Sequence, residues 1–527
     1  MTSSSNRRPA AQSARTGRRA STPQAAQTAH ASERTAVHLI PDSLGFALDQ
    51  AAQAVGDVRG GAALPAALAA GFAALPAESA AVSRGAVQDI AYRTMRRLGT
   101  VDWLLRKRVS KAPPPAVANL LACALALLLD DEATAAYTPF TVVDQAVRAI
   151  GARREIVFAK GLVNAVLRGF LRERDELLAA ARNDDVARWN YPQWWIDATR
   201  AAWPDAWQSI LAAGNAQGPL TLRVNARRST VYAYLQRLHA EDIDATQIGE
   251  RAVRLAHALP VDRIPGFAAG DVSVQDAGAQ RAAQWLGVSD GMRVLDACAA
   301  PGGKTGHLLE LADLDLVALE SDATRAARIG ENLVRLGLSA KVVVGDAATP
   351  SAWHDGEPFD RILADVPCSA SGIVRRHPDV RWLRRPADLG ALVNEQRRIV
   401  DALWSLVKPG GELLYVTCSI FPEESEGQAR WFESSHPDAV RLDAPGQLLP
   451  TLALAASSEA AAGQAIGHLT NGTGGTSGTD GTSGTSGLNS TNGATVDARH
   501  QAKADASPEP DSAADHDGFF YARFQKR

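Results

Sequence analysis

The chain has 527 residues, enough for two to four cores at roughly 150 residues each, and its composition, 46% hydrophobic and 21% charged, is that of a folded globular protein. A formal charge of -3 argues against a generic nucleic-acid coat, and four cysteines with no C-x-x-C pair argue against a disulfide framework or a zinc site. The few cysteines lead to the expectation of reduced thiols and a cytoplasmic location, and no apolar run reaches the roughly 18 residues needed to cross a bilayer.

Residues 1–35 carry Arg7, Arg8, Arg15, Arg18 and Arg19 among Ser, Ala, Gln and Thr, with no acid before Glu33. They have no amphipathic apolar face, which favours a disordered basic tail over a transit peptide. From 36 to 180 the period is helical and predicts an all-α domain. Phe158, Leu162, Val166 and Phe170 recur every four residues beside Val163, Leu167 and Leu171, predicting one apolar stripe with Lys160, Arg168 and Arg172 nearer the polar side. An Ala/Gly/Pro-rich stretch, 56–78, interrupts this domain and reads as an insertion loop or weak helix. Residues 181–289 form a small α+β linker subdomain, in which Tyr191-Pro192 stops a helix and Leu220 to Val224 reads as a strand.

From 290 the pattern changes to short buried strands alternating with helix-length segments: Val294-Leu295, Leu316 to Leu319, Val342 to Val344, Ile362 to Ala364 and Leu413 to Val416. This is the signature of an α/β doubly wound domain with a parallel sheet covered on both faces. It spans 290–456 and 516–527, because the aromatic run Gly518 to Phe524 reads as a terminal strand that returns to the sheet. The intervening 457–515 segment is Gly/Ser/Thr-rich, with too few apolar groups to offset the entropy of ordering, and is expected to be disordered.

The first strand of this domain runs into Asp296-Ala297-Cys298-Ala299-Ala300-Pro301-Gly302-Gly303-Lys304-Thr305. Small residues and two glycines between strand and helix let a cofactor approach the backbone, and the helix N-terminus favours a negative group. Glu320 ends the next strand at the distance expected of a ribose-binding carboxylate. A triphosphate loop is disfavoured because Cys298 occupies its first glycine position, and a dinucleotide site because G-x-G-x-x-G is absent. S-adenosyl-L-methionine, with ribose and a carboxylate but no phosphate, fits best; a ligand-free structural turn is the alternative. Asp346 closes the third strand, where it either holds an adenine amino group or caps the following turn.

Two cysteines follow directly on buried strands, Cys368 in Asp365-Val366-Pro367-Cys368-Ser369 and Cys418 in Thr417-Cys418-Ser419. Thiols at strand ends, with Asp365 three residues before one of them, suggest covalent chemistry on an electrophilic substrate; taken singly, each reads rather as a small buried filler. Cys123 lies in an apolar helix and reads as core. Cys298 reads as a small residue under the cofactor. His377 has no metal-ligand companions, and no metal site is expected.

Together with Val274-Gln275-Asp276-Ala277 and Arg375-Arg376-His377-Pro378-Asp379 followed by Trp382-Leu383-Arg384-Arg385, these motifs resemble the Sun/Fmu (RsmB) type of ribosomal RNA cytosine-C5 methyltransferase. The resemblance covers about residues 83–450 and the final strand; the basic tail, the Ala-rich stretch and the Gly/Ser/Thr insert depart from the pattern. It implies a Rossmann-like class I methyltransferase domain preceded by an all-α NusB-like RNA-binding domain. Arg93, Arg96, Arg97, Arg106, Lys107 and Arg108 would then form a phosphate-contacting surface. The implied substrate is 16S ribosomal RNA or a small-subunit assembly intermediate. Which cysteine attacks is not readable from spacing; the resemblance assigns attack to Cys418, product release to Cys368, and binding of the cytosine ring to Asp365.

The thiolate would be favoured by a nearby cation, for which Lys304 and the Arg375-Arg376 loop are candidates. Arg375, Arg376, Arg381, Arg384 and Arg385 read as a basic rim gripping phosphate, with Trp382 either stacking on a base or packing in the core. The same chemistry on transfer RNA and a non-catalytic RNA-binding or antitermination factor are the rival readings. Nothing points beyond a monomer.

Overall fold

The computed structural model describes residues 39–131, 135–450 and 515–527. The basic tail, 1–35, and the Gly/Ser/Thr-rich segment apart from Asp515 lie outside them. Helices dominate up to Ala202. The organising element is Pro115–Leu128, whose unbroken apolar run is buried on all sides and packs against Leu44–Arg59, Ala77–Arg96, Leu98–Arg108, Pro139–Ala152 and Lys160–Arg172. A helix apolar all round has to sit at the centre of a bundle.

Two local expectations are decided here, the first for the helix over the insertion loop and the second by a correction. The 56–78 stretch holds a regular helix, Leu64–Ala73, whose Leu64, Ala67, Leu68 and Phe72 are buried in the same core. Its alanine content is good helix composition, and the four-residue spacing of Leu64, Leu68 and Phe72, not the average, decides its fate. In the later helix Val163, Val166, Leu167 and Phe170 are buried, but Phe158 is 71% exposed and Leu162 lies at the rim. The α-helix starts only at Lys160, after a 3-10 turn at Val157–Ala159, so the angular phase does not carry back to Phe158.

Between the helices and the large sheet stands a four-stranded antiparallel sheet made of β1 (Thr221–Val224), β2 (Ala245–Gln247), β3 (Ala252–Leu255) and β4 (Val272–Val274), in the order β2-β3-β1-β4. Helix Val231–Ala240 packs Tyr234 and Leu238 against Leu222, Val253 and Val272 of this sheet. Arg223 of β1 points the other way and is fully buried against the cofactor-type loop described below.

The large sheet contains β5 (Arg293–Ala297), β6 (Asp315–Glu320), β7 (Lys341–Val344), β8 (Phe359–Asp365), β9 (Val407–Thr417), β10 (Ala439–Leu448) and β11 (Phe519–Lys526), in the order β10-β11-β9-β8-β5-β6-β7. Strands β5 to β9 pair in parallel, while β11 inserts antiparallel between β9 and β10. The central strands are apolar on both faces because helices cover both, as their unbroken Val/Leu/Ile runs require. Consecutive strands leave β5 in opposite directions, β6 to one side and β8 to the other. The crevice this creates at the carboxyl ends of the strands is where open α/β sheets bind ligands.

Candidate active site

Strand register brings the sequence motifs to one edge. Ala297 of β5 lies beside Leu319 of β6 and Ala364 of β8, Glu320 lies beside Val344 of β7, and Asp365 lies beside Val416 of β9. The residues that follow, Cys298, Asp346, Cys368 and Cys418, therefore emerge on the same side of the sheet.

The loop after β5 turns sharply, with Cys298 at φ 62° and Gly302 at φ 93°. A side chain at Gly302 would be strained at that φ and would meet Ile329 at 3.2 Å, so glycine is required there. Gly302 caps the helix Gly303–Leu311 without a side chain, which leaves the first-turn N–H groups open to an anionic ligand group. Arg223 holds this helix start from behind, donating to the Gly303 carbonyl at 2.7 Å, to Gln275 at 2.6 Å and to Glu310 at 2.6 Å. Asp296 is fully buried beneath the loop; one carboxylate oxygen accepts from Thr305 at 2.6 Å and the other has no hydrogen-bond partner. Burial, with Asp365 nearby, pushes its pKa up to about 7.

Glu320 accepts from the Ala300 N–H at 3.3 Å and the Asp322 N–H at 3.2 Å, and pairs with Arg325 at 3.2 Å. Asp346 accepts from the Ala348 N–H at 2.9 Å and pairs with Arg398 at 3.0 Å, so it caps its turn in this structure. The uncapped helix start and the acid ending β6 match the donors and acceptors that an S-adenosylmethionine-type ligand needs. The thiol of Cys298 is pushed up by burial, with Asp365, Glu320 and Asp296 adding to the shift, which makes it a poor nucleophile. Burial also pushes Cys123, in the helical core, up to about 12.

Across the crevice the two strand-end thiols touch: Cys368 Sγ and Cys418 Sγ are 3.4 Å apart. Lys304 Nζ donates to Asp365 at 2.7 Å, and although burial opposes it, Asp365, with Cys418 and Asp296 adding, holds the lysine's pKa up. Cys368 has Glu424 near it instead. Its pKa is raised first by the hydrogen bond to Cys418, then by burial, the Cys418 charge and Glu424. Cys368 accordingly keeps its proton.

The arginines expected to form a basic rim are structural. Arg375 is 1% exposed and pairs with Asp517 and, at 2.5 Å, with Asp515. Arg376 pairs with Asp517 at 2.5 Å and Asp276 at 2.9 Å. Arg381, fully buried, donates to the Gly214 carbonyl at 2.6 Å and lies over the Tyr191 ring. Arg384 donates to the carbonyls of Ser369 and Cys368 at 3.2 and 3.1 Å. Only Arg385 of the five is exposed. Neither Arg375 nor Arg376 is available to a thiolate; Lys304 alone of the expected cations fills that position.

Trp382 packs on the helical core and donates to the Met95 carbonyl at 2.8 Å, while Asp379 accepts from the Leu64 N–H at 2.8 Å. The Arg375–Arg385 segment thus joins the helices to the cysteine loops. The helical arginines are likewise engaged: Arg93 and Arg97 pair with Asp130, Arg96 donates to the Arg375 carbonyl and Arg108 pairs with Glu173, leaving Arg106 and Lys107 exposed. These side chains find their carboxylate and carbonyl partners at long range, which a count of local charge cannot show.

Several residues at the site escaped the sequence reading. Ser369 and Ser419, each directly after a cysteine, are fully buried with Ser371 and Glu424. Glu424 stands in a Pro-Glu-Glu turn that reads as solvated, and nothing local separates it from Glu423. Gly372 is also required: its N–H donates to the Cys418 carbonyl at 2.8 Å, and a Cβ there would lie 2.2 Å from the Gly518 carbonyl oxygen. Among the described residues there is no group of His, Cys, Asp and Glu able to hold a metal, and no helix long and apolar enough to cross a membrane.

Comparison with known proteins identifies the family. Residues 283–457 match the family described as 16S rRNA methyltransferase RsmB/F, and residues 191–262 match its ferredoxin-like domain. The chain is 42% identical over 370 residues to ribosomal RNA small subunit methyltransferase B of Cronobacter sakazakii, covering 68% of this chain and 84% of that protein. It is 43% identical over 366 residues to the protein of the same name from Pseudomonas putida, covering 68% and 83%. The crystal structure of PH0851 superimposes with a TM-score of 0.62 at 24% identity, covering 78% of this chain and 93% of that one, which supports the fold.

Proposed function

This chain belongs to the RsmB-type ribosomal RNA methyltransferases, and on that premise we propose that it methylates carbon 5 of a cytosine in 16S ribosomal RNA through a covalent adduct of Cys418 at carbon 6. The observation that carries the proposal is the contact of two thiols at 3.4 Å beside a half-buried lysine–carboxylate pair. A protein that only bound RNA would have no use for that constellation. The reading takes the helices of 36–180 as a NusB-like RNA-binding domain, 181–289 as a linker subdomain, and the cytoplasm as the site of action.

S-adenosyl-L-methionine, when bound, supplies the electrophilic methyl group. The Cys298–Lys304 loop would hold its methionyl end, with Glu320 on the ribose and Asp346 on the adenine. Carbon 5 of cytosine is a weak nucleophile, and the protein's task is to make it electron-rich. Cys418, as thiolate beside Lys304, forms a bond to carbon 6, and the electron pair of the carbon 5–carbon 6 double bond moves onto carbon 5. Asp365 would lie at N3 and the exocyclic amine, where a hydrogen bond donated to N3 takes up the charge that builds on the ring as carbon 6 is attacked. After transfer, carbon 5 loses its proton to water, the double bond re-forms and the Cys418 sulfur leaves. Cys368, protonated at 3.4 Å, donates a hydrogen bond to that departing thiolate, which favours release. The base must be presented unstacked, from a single-stranded loop or by extrusion.

The test pairs two variants. Cys418→Ala is expected to abolish transfer, and Cys368→Ala to methylate but accumulate covalent RNA adduct resolved on a denaturing gel. Turnover retained in Cys418→Ala would reverse the assignment. Bisulfite sequencing of RNA from a deletion strain separates the rivals: loss of one protected cytosine in 16S RNA supports the proposal, loss in a transfer RNA supports that substrate, and no loss supports a binding factor.

A further inference from the structure

Both cysteine loops are fastened to one buried carboxylate. Glu424 is fully buried, and one of its oxygens accepts from the Ser369 N–H at 2.8 Å and from Gln396 Nε2 at 3.0 Å. The other accepts from Ser419 Oγ at 2.6 Å. Ser369 follows Cys368 and Ser419 follows Cys418, so each contact is made to the residue next to a thiol. The hydroxyls of Ser369, Ser371 and Ser419 close a triangle with sides of 3.0, 3.0 and 3.2 Å. From it Ser371 accepts the Ile420 N–H at 2.9 Å and Ser419 the Phe421 N–H at 3.0 Å. Gln396 adds a bond to the Pro367 carbonyl at 3.0 Å, on the other side of Cys368.

A buried carboxylate is a costly way to stabilise a core; apolar side chains of similar volume serve that purpose at least as well. What directed hydrogen bonds add is register. Here they tie the end of β8 to the end of β9 at the two positions where a shift would separate the sulfurs. We propose that Glu424 is a positioning residue, holding the Cys368 and Cys418 loops so that the two thiols remain in contact through adduct formation and release. The proposal rests on the two-cysteine chemistry proposed above. Glu424 touches neither sulfur and acts through Ser369 and Ser419.

The test uses the full chain with Glu424→Ala, Glu424→Gln and Ser419→Ala, measuring kcat, the KM for S-adenosylmethionine and thiol proximity. Proximity is read from the rate at which diamide closes a Cys368–Cys418 disulfide, each thiol losing one electron and one proton while the azo bond of diamide is reduced to the hydrazine. Glu424→Ala is expected to lower kcat by about 10²-fold, the scale of an ångström-size misplacement. Its KM for the cofactor should stay within about twofold, because the Cys298–Lys304 loop is untouched, and diamide closure should slow by about tenfold or more. Glu424→Gln keeps the acceptor for Ser369 and Gln396 and should restore most of both rates.

Ser419→Ala removes only the Cys418 side and should reproduce the loss in part; it carries the test should Glu424→Ala fail to fold. Wild-type kcat and diamide rate in a folded Glu424→Ala or Ser419→Ala protein, with Cys418→Ala inactive, would overturn this proposal alone. Turnover in Cys418→Ala would overturn the chemistry on which it rests.

Discussion

Asp296 offers a quantitative check on the burial of the cofactor-type loop. Its carboxyl is fully buried, and burial raises its pKa from 3.8 to about 7. Between those values the folded protein keeps the proton and the unfolded chain releases it. The unfolded state then binds fewer protons, so stability falls as pH rises through this window and levels off above the folded value. The full shift of roughly three units corresponds to about 4 kcal/mol. The loss is spread across the window, and between about pH 5 and about pH 8 it amounts to roughly 3 kcal/mol.

Asp296→Asn retains an acceptor for Thr305 but cannot ionise. Urea unfolding of both proteins at a series of pH values should therefore show the variant gaining on the wild type by that amount as pH rises. Every other titrating group cancels in the difference. A wild-type-minus-variant difference that stays flat from about pH 5 to about pH 8 would refute the argument, because it would mean the carboxylate is solvated.

Three further substitutions test the scaffold. Asp517→Ala removes the shared partner of Arg375 and Arg376 and should cost about 3–5 kcal/mol, measured by urea unfolding, with faster amide exchange along β11; a loss under about 1 kcal/mol would mean the pairs are solvent-screened. Phe72→Ala should cost about 3 kcal/mol in thermal unfolding of the helical region, whereas a residue in an insertion loop would leave the melting temperature unchanged. Arg381→Ala should destabilise by about 3 kcal/mol, since it strands buried carbonyls, yet leave the salt dependence of RNA binding as it was. A fall in the log–log salt slope of about 0.7 would instead reveal a phosphate contact.

What the sequence determined by itself is the part written in short-range patterns. Apolar runs of the right length set the five parallel strands of the large sheet, and the turn chemistry of Cys298 to Gly303 marked the cofactor-type loop. Asp365, Cys368 and Cys418 were legible because strand ends in this architecture converge, and the family resemblance gave each an expected task. Local composition left loop and helix both open where an average replaced a period, as at Leu64–Ala73, and misled where a period was run past a helix start, as at Phe158.

Only the tertiary structure decided where the charges go. Arg376 meets Asp276 100 residues away and Asp517 141 residues away, so a segment that counts as basic along the chain is neutralised in space. Only the structure brought the two sulfurs to 3.4 Å and set Glu424 beneath both loops. The physical reason is the same in each case. Burial of apolar side chains imprints a periodicity on a single element, whereas an ion pair or hydrogen bond between elements depends on the register of strands far apart in the chain and leaves no local trace.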